Sequence, residues 1–358
     1  MSTSQNQLYL TGAGVAVLLL YYLYNSVQAS PKRKPMKISE IYIYPIKSLR
    51  ATQPTSALAT KHGFKHDRTF MLLQVTPEGH KNMAVSRYPE MTRFFPSIDL
   101  DAGTITITYK PTDPAKEPRS LKVPLQPDTE KLEPLNIDMH TSPTTGFKMQ
   151  EKYNKWFSEC FGYDVIFVYL GENKRDVLFK DMVSSSPIGS SWIPSLRPSV
   201  PAAQAITFAD CAPYLVVSKT SLADVSSRLP AGEDMDVTKF RPNIVVEGAG
   251  EAWEEDYWRR VRIGHGGAEI VMLHNCVRCA SVNIDYETGK PGTGESGKVL
   301  KKLQKDRRVD VGAKWSPVFG RYSFWTAKTP PQELRVGDEV RVVEVQKERS
   351  VFSWPGLS

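Results

Sequence analysis

The 358-residue sequence is poor in cysteine and contains no N-x-S/T glycosylation sequon. Four cysteines do not make a disulfide framework, so the composition favours a reducing compartment. The sequence also lacks a clustered basic stripe with interleaved aromatic residues, which argues against nucleic acid as a partner. Its formal net charge of +7 fits an acidic protein or an anionic membrane surface at least as well. No glycine-rich nucleotide-binding loop is evident, so we do not expect NADH to bind directly.

Strand-like patterns dominate the rest of the chain. With 41% hydrophobic and 24% charged residues, it is long enough to form two domains with their own cores. Short strands outnumber helices, and no connection repeats a βαβ unit. We therefore expect a mainly β (α+β) fold with a few covering helices.

The N-terminal segment is strongly apolar. It has no charged side chain before Lys32, and Leu8–Val27 is dominated by Leu, Val, Ala and Tyr. At about 1.5 Å rise per residue, a helix of this length covers roughly the 30 Å hydrocarbon core of a bilayer. Tyr21, Tyr22 and Tyr24 cluster near one end, as in an interfacial belt. The sequence thus predicts one transmembrane helix.

The charges that follow this segment predict its orientation. Because Lys32, Arg33, Lys34 and Lys37 flank the apolar run, the remaining chain is expected in the cytosol. A cleaved secretory signal ending in Val27-Gln28-Ala29 and a buried core helix are the alternatives. The signal is disfavoured because the first seven residues lack Lys and Arg and the apolar run exceeds a usual h-region.

A C-x-R-C motif lies within the stretch His274–Gly292, where Cys276 and Cys279 bracket Arg278. A guanidinium beside a thiol favours the thiolate, the form that binds soft or high-valent metals. The spacing alone also fits half of a zinc site, a redox dithiol or a buried structural pair. Zinc needs further ligands, and only His274 is close. A redox dithiol would lie at the head of a helix, whereas the residues after Cys279 predict a strand followed by a turn.

Polar residues at predicted strand ends form a second group of candidates. Lys47 and Ser48 follow the predicted strand Lys37–Pro45 and offer an ammonium and a hydroxyl to a phosphate. Pro242 fixes the backbone between Arg241 and Asn243, so a charge and an amide can reach one ligand. Solvated surface is the ordinary interpretation of the Lys-Ser pair.

Four further segments carry structural expectations. Apolar residues recur at helical spacing over Gln150–Phe161, which makes Cys160 a core residue. Pro111–Pro143 predicts loops and short strands, and Ser184–Pro201 a linker or a mobile loop over the site. Basic residues crowd one short helix within Lys298–Arg308. They form either a solvated face or a docking patch for an acidic electron donor.

Several of these motifs together resemble a known family. V-R-C followed by D-Y-E-T-G, an upstream F-R-P-N box and Y-P-I-K-S resemble the MOSC domain of molybdenum-cofactor enzymes. Over Leu8–Val345 the chain is more closely similar to the mitochondrial amidoxime-reducing component family. The resemblance implies a membrane anchor and linker at 1–35, a MOSC N-terminal β domain at 36–175 and a MOSC β-barrel at 200–346. The cofactor is expected in the cleft between the two domains.

The resemblance also implies residues for a Mo-molybdopterin (molybdenum cofactor) site. Cys279 is the expected thiolate ligand of molybdenum. Asp210, which otherwise fits an Asx turn, is expected beside the metal as a proton relay. Position 212, commonly Ser in the family, is Ala212 here, so one cofactor hydrogen bond is missing or replaced. The other expected cofactor-binding residues are Lys47, Ser48, Arg68, Arg241, Asn243, Arg278 and Tyr322.

The function that the resemblance implies is a membrane-anchored oxidoreductase that reduces N-hydroxylated compounds such as amidoximes and hydroxylamines, with nitrite as a variant substrate. Electrons are expected from a cytochrome b5 and its NADH-dependent reductase. The expected location is the mitochondrial outer membrane with the catalytic part in the cytosol, and the endoplasmic reticulum membrane is the alternative. A non-catalytic molybdenum-cofactor carrier or sulfur-transfer module is the second hypothesis. Relatives that sulfurate the cofactor carry a long pyridoxal-phosphate domain, for which this chain offers no room.

Overall fold

Short β-strands are the main regular element of the protein, in a computed structural model that describes residues 35–183, 204–326 and 329–357. The first strands are β1 (Met36–Ile41), β2 (Ser56–Thr60), β3 (Gly63–Phe64), β4 (Phe70–Thr76), β5 (Gly79–Asn82), β6 (Phe94–Asp99), β7 (Thr104–Tyr109), β8 (Arg119–Pro124), β9 (Glu133–Met139), β10 (Ser142–Lys148) and β11 (Val165–Tyr169). They are followed by β12 (Arg175–Asp176), β13 (Ala205–Ile206), β14 (Tyr214–Ser218), β15 (Ile244–Glu247), β16 (Trp258–Ile263), β17 (Ala268–Val277), β18 (Ile284–Asp285), β19 (Lys290–Pro291), β20 (Val318–Trp325), β21 (Gln332–Arg335) and β22 (Glu339–Val345). The predicted mainly β fold is confirmed.

Helices are short and fewer. The α-helices are α1 (Glu151–Phe161), α2 (Lys180–Val183), α3 (Lys219–Ser227) and α4 (Val299–Leu303). Single turns of 3-10 helix occur at Pro89–Arg93, Val237–Phe240, Glu254–Tyr257, Ala280–Asn283, Ser296–Lys298 and Val311–Ala313. Ser218 begins α3 as a side-chain cap, since its hydroxyl accepts a hydrogen bond from the Thr220 backbone N–H at 3.1 Å.

Seven strands close into a barrel in the order β1-β15-β14-β20-β17-β16-β22. β14 and β15 run parallel, and the other neighbouring strands pair antiparallel. Apolar side chains along these strands, such as Ile38, Val216, Ile270 and Trp325, share one buried core. Closure leaves no exposed strand edge in this sheet. The barrel also fixes β17, whose C-terminal end leads into the C-x-R-C motif.

A second core lies among the N-terminal strands. The sheet β5-β4-β11-β10-β9 carries α1 against β11, and β6-β7-β8 form a separate antiparallel sheet. Helix α1 buries Phe157, whose ring centroid lies 4.9 Å from that of Phe167 and 5.7 Å from that of Phe94. Gly162 ends the helix in the left-handed conformation, at a φ of 82°, which glycine adopts without a steric cost. The helix predicted over 150–161 is confirmed within one residue, and Cys160 is half-buried against this core.

Two local predictions are wrong. The residues after Cys279 form a turn of 3-10 helix, Ala280–Asn283, before the two-residue strand β18. The basic stretch 298–308 is not one helix, because α4 ends at Leu303 and Arg307 is buried. By contrast, the prediction of loops and short strands over 111–143 is confirmed, because the segment holds the short strands β8 and β9 with loops around them.

Two predictions fall outside the described residues. These are the membrane span at 8–27 and the linker at 184–201. Within the described ranges, no helix combines the length and the hydropathy that a membrane crossing requires.

Candidate functional site

Cys279 lies where the barrel strand β17 gives way to a turn. Arg278 still follows the strand edge, since its backbone N–H donates to the Pro317 carbonyl at 2.8 Å. Cys279 has extended backbone and begins the 3-10 helix Ala280–Asn283. Its thiol is exposed and lies 3.2 Å from the Ser281 hydroxyl. The other cysteine of the motif, Cys276, is buried, and burial raises the pKa of its thiol. Of the two cysteines of the motif, Cys279 is therefore the one that presents its sulfur to a ligand.

An open cleft of about 100 Å³ adjoins this thiol, and we call it the Cys279 cleft. It brings together seven of the predicted site residues: Arg68, Asp210, Arg241, Asn243, Arg278, Cys279 and Tyr322. Lys47 reaches the cleft through a contact with Asp210. Ser48 does not line it, because its hydroxyl is buried and donates to the Met83 carbonyl at 3.5 Å.

Two guanidinium groups lie against one aromatic ring at the base of the cleft. The Cζ atoms of Arg68 and Arg241 are 4.6 and 4.2 Å from the centroid of Tyr44. Both arginines have positive φ angles, 51° and 56°, which are costly for residues other than glycine. Such backbone strain occurs often at functional sites, so the chain holds these two cations in place at an energetic cost.

Arg241 differs from Arg68 in its unused hydrogen-bonding capacity. Arg68 donates to Asp67 at 2.5 Å, to Asn243 Oδ1 at 3.2 Å and to the Arg241 carbonyl at 3.1 Å. Arg241 Nη1 donates to the Leu49 carbonyl at 2.8 Å, whereas Nη2 is buried without a partner among the described residues. Burial lowers the pKa of Arg241. An unpartnered buried donor is costly, so an anion bound in the cleft would relieve it.

Arg278 and Asn243 are largely occupied by the fold itself. Arg278 donates to two backbone carbonyls, with Nε and Nη2 on Phe319 at 2.9 and 2.5 Å and Nη1 on Phe240 at 2.7 Å. Asn243 donates to the Tyr42 carbonyl at 3.2 Å and accepts from Arg68. These contacts tie β1, β15 and β20 together around the cleft. Both residues shape the cleft, and Arg278 also contributes positive charge to its wall.

Lys47, Asp210 and His140 form a charged cluster at the rim. The Lys47 ammonium contacts the Asp210 carboxylate and donates to the Phe208 carbonyl at 3.2 Å. His140 Nε2 lies 3.3 Å from Asp210 Oδ1. Desolvation alone would raise the pKa of Asp210, but the Lys47 ammonium and the His140 side chain hold it well below its usual range. Asp210 is therefore an ionised acceptor near neutral pH.

Tyr322 closes the inner wall beside two buried thiols. Burial raises the pKa of Tyr322 well above its ordinary value, and Cys276 and Cys211 raise it further. Burial likewise raises the pKa of Cys211. These groups are neutral at physiological pH, so the inner wall adds no negative charge against an anion.

Three functional candidates were not predicted from the sequence. His140 lies at a positive φ of 56° between β9 and β10, and only the fold brings it to Asp210. Arg175 is fully buried and donates to the carbonyls of Ala209 and Met139 at 2.6 and 2.5 Å. Burial lowers its pKa to about 10. Lys239 also lines the cleft, and its position directly before the F-R-P-N box could have identified it from the sequence.

The donor set fits an anionic group better than a metal ion held by protein ligands alone. In the part of the chain that the structure describes, no three His, Cys, Asp or Glu side chains cluster as metal ligands. His274, the residue considered for zinc, is buried and stacks on Phe179 with ring centroids 3.8 Å apart. The cleft instead combines one exposed thiol with several cations, among them the unpartnered Nη2 of Arg241.

Two family models match the chain, the MOSC N-terminal beta barrel domain over residues 35–164 and the MOSC domain over residues 203–341. The chain belongs to the MOSC-domain proteins. Lys47 and Arg68 fall within the first matched segment of this MOSC protein, while Arg241 and Cys279 fall within the second. The Cys279 cleft is therefore built from both.

Curated relatives align over most of the chain at low identity. Mitochondrial amidoxime-reducing component 1 from Danio rerio is 25% identical over 93% of this chain and 93% of its own length. The protein of that name from Mus musculus is 28% identical over 85% of this chain and 81% of its own length. Molybdenum cofactor sulfurase from Arabidopsis thaliana is 26% identical over 76% of this chain, but the match spans only 31% of that protein.

Proposed function

We propose that this MOSC-domain protein binds a molybdenum cofactor in the Cys279 cleft and reduces N-hydroxylated compounds such as amidoximes and hydroxylamines. The observation that carries the proposal is the pairing of the exposed Cys279 thiol with the buried, unpartnered Nη2 of Arg241 in one cationic cleft. The thiolate of Cys279 would ligate molybdenum, since thiolates suit that metal. The names of the amidoxime-reducing relatives support the reaction class.

The anionic part of the cofactor would bind on the arginine side of the cleft. Arg241 Nη2 offers a charge-assisted hydrogen bond to a phosphate oxygen, and Lys239 adds a second cation. Arg68 and Arg278 contribute charge while their hydrogen bonds hold the wall. Ser48 takes no direct part, because its hydroxyl faces Met83.

Reduction of an N–O bond consumes two electrons and two protons and releases the oxygen as water. The cofactor supplies the electron transfer, and the protein supplies orientation, charge and protons. Asp210 is ionised near neutral pH, so it has no proton to donate. We propose that His140, whose Nε2 faces the Asp210 carboxylate, passes a proton to the cleft through Asp210, and that Asp210 also orients Lys47.

The apolar run 8–27 would anchor the chain in a membrane, which we propose to be the mitochondrial outer membrane because curated relatives carry that organelle in their names. The electron donor would be a cytochrome b5-type protein served by its NADH-dependent reductase. The net positive charge of the chain suits an acidic donor.

Turnover tests the proposal directly. Full-length protein from a cofactor-producing host is assayed for amidoxime reduction with a chemical reductant, beside Cys279→Ser and the matched variant Cys160→Ser. We expect activity in wild type and Cys160→Ser and none in Cys279→Ser. Equal activity in all three would show that Cys279 has no part in the reaction.

A cofactor carrier is the second candidate, because the Arabidopsis thaliana relative is named molybdenum cofactor sulfurase. A carrier would retain molybdenum and give no turnover with any reductant. Molybdenum-loaded wild-type protein that is inactive toward amidoximes, hydroxylamines and nitrite would favour this candidate.

A further inference from the structure

A positively charged surface with an apolar centre borders the segment that carries Cys279. Two large apolar side chains are unusually open there, since Val311 is 78% and Trp315 71% exposed. Four exposed cations accompany them, so we define the Trp315 surface as Lys301, Lys305, Arg308, Val311, Lys314 and Trp315. The Lys314 ammonium lies 5.5 Å from the indole centroid.

The surface keeps its positive charge because one nearby acid is paired with a cation and another is buried. Asp306 binds Arg228 at 2.6 Å, and Asp310 is buried, where it accepts the Gly312 and Phe352 backbone N–H groups at 2.9 Å. The docking patch predicted over 298–308 therefore does not include all of its basic residues. Three of its members are used elsewhere: Lys298 and Lys302 pair with Glu295, and Arg307 pairs with Asp256.

Hydrogen bonds hold this surface beside Cys279. On one flank of the thiol, the Arg278 N–H donates to the Pro317 carbonyl at 2.8 Å. On the other flank, the Leu300 N–H donates to Asn283 Oδ1 at 2.9 Å. The loop before β20 is fastened to the end of α4, because the Val318 N–H donates to the Arg307 carbonyl at 2.9 Å. A protein docked here would lie next to the thiol.

We propose that the Trp315 surface docks an acidic one-electron carrier protein. Trp315 would be the buried anchor and the four cations its charged rim, an arrangement typical of protein interfaces. Rim charges act mainly on association and on its salt dependence. The proposal deepens the proposed function, because it assigns a surface for electron entry to the same site.

Binding is the first test, and it does not depend on turnover. The soluble haem domain of a cytochrome b5 is titrated into the full-length protein in detergent. Trp315→Ala and the double variant Lys301→Glu/Lys305→Glu should each raise the dissociation constant about tenfold or more. The effect of the charge reversal should shrink as salt rises. The matched double variant Lys122→Glu/Lys131→Glu, which changes exposed lysines of the N-terminal β part, should bind as wild type does.

Turnover separates this proposal from the proposed function. With a chemical reductant, all of these variants should reduce an amidoxime at the wild-type rate. An inactive wild type under that reductant would overturn the proposed reaction, while the binding result would still decide the docking surface. Unchanged cytochrome binding in Trp315→Ala and Lys301→Glu/Lys305→Glu would overturn the docking proposal. The docking proposal would also be overturned if these variants lost binding only to anionic phospholipid vesicles, which would make the surface a membrane contact.

Discussion

Replacing Arg241 by Met should destabilise the cofactor-loaded protein while leaving the cofactor-free protein nearly unchanged. In the cofactor-free form, Arg241 donates one hydrogen bond to the Leu49 carbonyl, but its Nη2 is buried without a partner. The lost bond costs about 1 kcal/mol, and removing an unpartnered buried donor returns a similar amount. Methionine replaces the aliphatic part of the arginine side chain without its guanidinium and, like arginine, lacks the freedom of glycine at φ 56°.

The loaded form should respond differently, because Nη2 then binds an anion. A hydrogen bond to a charged group contributes about 1.5–3 kcal/mol, which corresponds to roughly 10- to 150-fold in affinity. The assay compares melting temperatures of wild type and Arg241→Met, each from a cofactor-producing and a cofactor-deficient host. Arg308→Met, which removes an exposed cation, is the control. An equal loss of stability in both forms would refute the reasoning, since Arg241 would then be a structural residue only.

Three further predictions concern single side chains. Glu255 is fully buried and burial raises its pKa to about 7, so wild-type stability should fall by roughly 3 kcal/mol as pH rises from about 4.5 to 7. Denaturant unfolding across this range should show the loss in wild type and not in Glu255→Gln. Arg307→Met breaks a buried ion pair and should cost about 3 kcal/mol by denaturant unfolding, against less than about 0.5 for Arg308→Met. Asp210→Asn should keep its molybdenum but lower turnover at least about tenfold at neutral pH, because it removes the carboxylate that faces His140 and orients Lys47; the pH–rate profile checks this.

The direction of the Glu255 pKa shift determines whether stability rises or falls with pH. Its folded-state pKa lies above the ordinary value of 4.5, so the folded protein binds more protons between the two values. Folding is therefore penalised once the carboxyl ionises, and the penalty is complete above about pH 7. A wild-type stability that rises with pH over this interval would contradict the assignment.

Local patterns in the sequence were sufficient where neighbouring residues decide the structure. The helix over 151–161 follows from its apolar stripe, and β7 follows from strict alternation in Thr104–Tyr109. The closure of the barrel was not readable from such patterns, because β1 pairs with β15 and β22 across most of the chain. Strand order depends on packing between segments that share no local signal.

In the candidate site, too, local motifs were visible in the sequence, whereas contacts between distant segments were not. The motifs around Arg241 and Cys279 were visible as sequence, and the fold brings them to one cleft. His140 was missed because a histidine in a hairpin turn carries no signal until its neighbour Asp210 is known. Arg307 was misplaced in an exposed patch because its partner, Asp256, lies far upstream in the sequence.

The most direct test of the central claim is the molybdenum content of the full-length protein from a cofactor-producing host, measured by elemental mass spectrometry beside Cys279→Ser. We expect close to one molybdenum per wild-type chain, and a variant that has lost the metal or holds it without turnover. Wild-type protein that contains no molybdenum, or zinc in its place, would contradict the assignment of the Cys279 cleft.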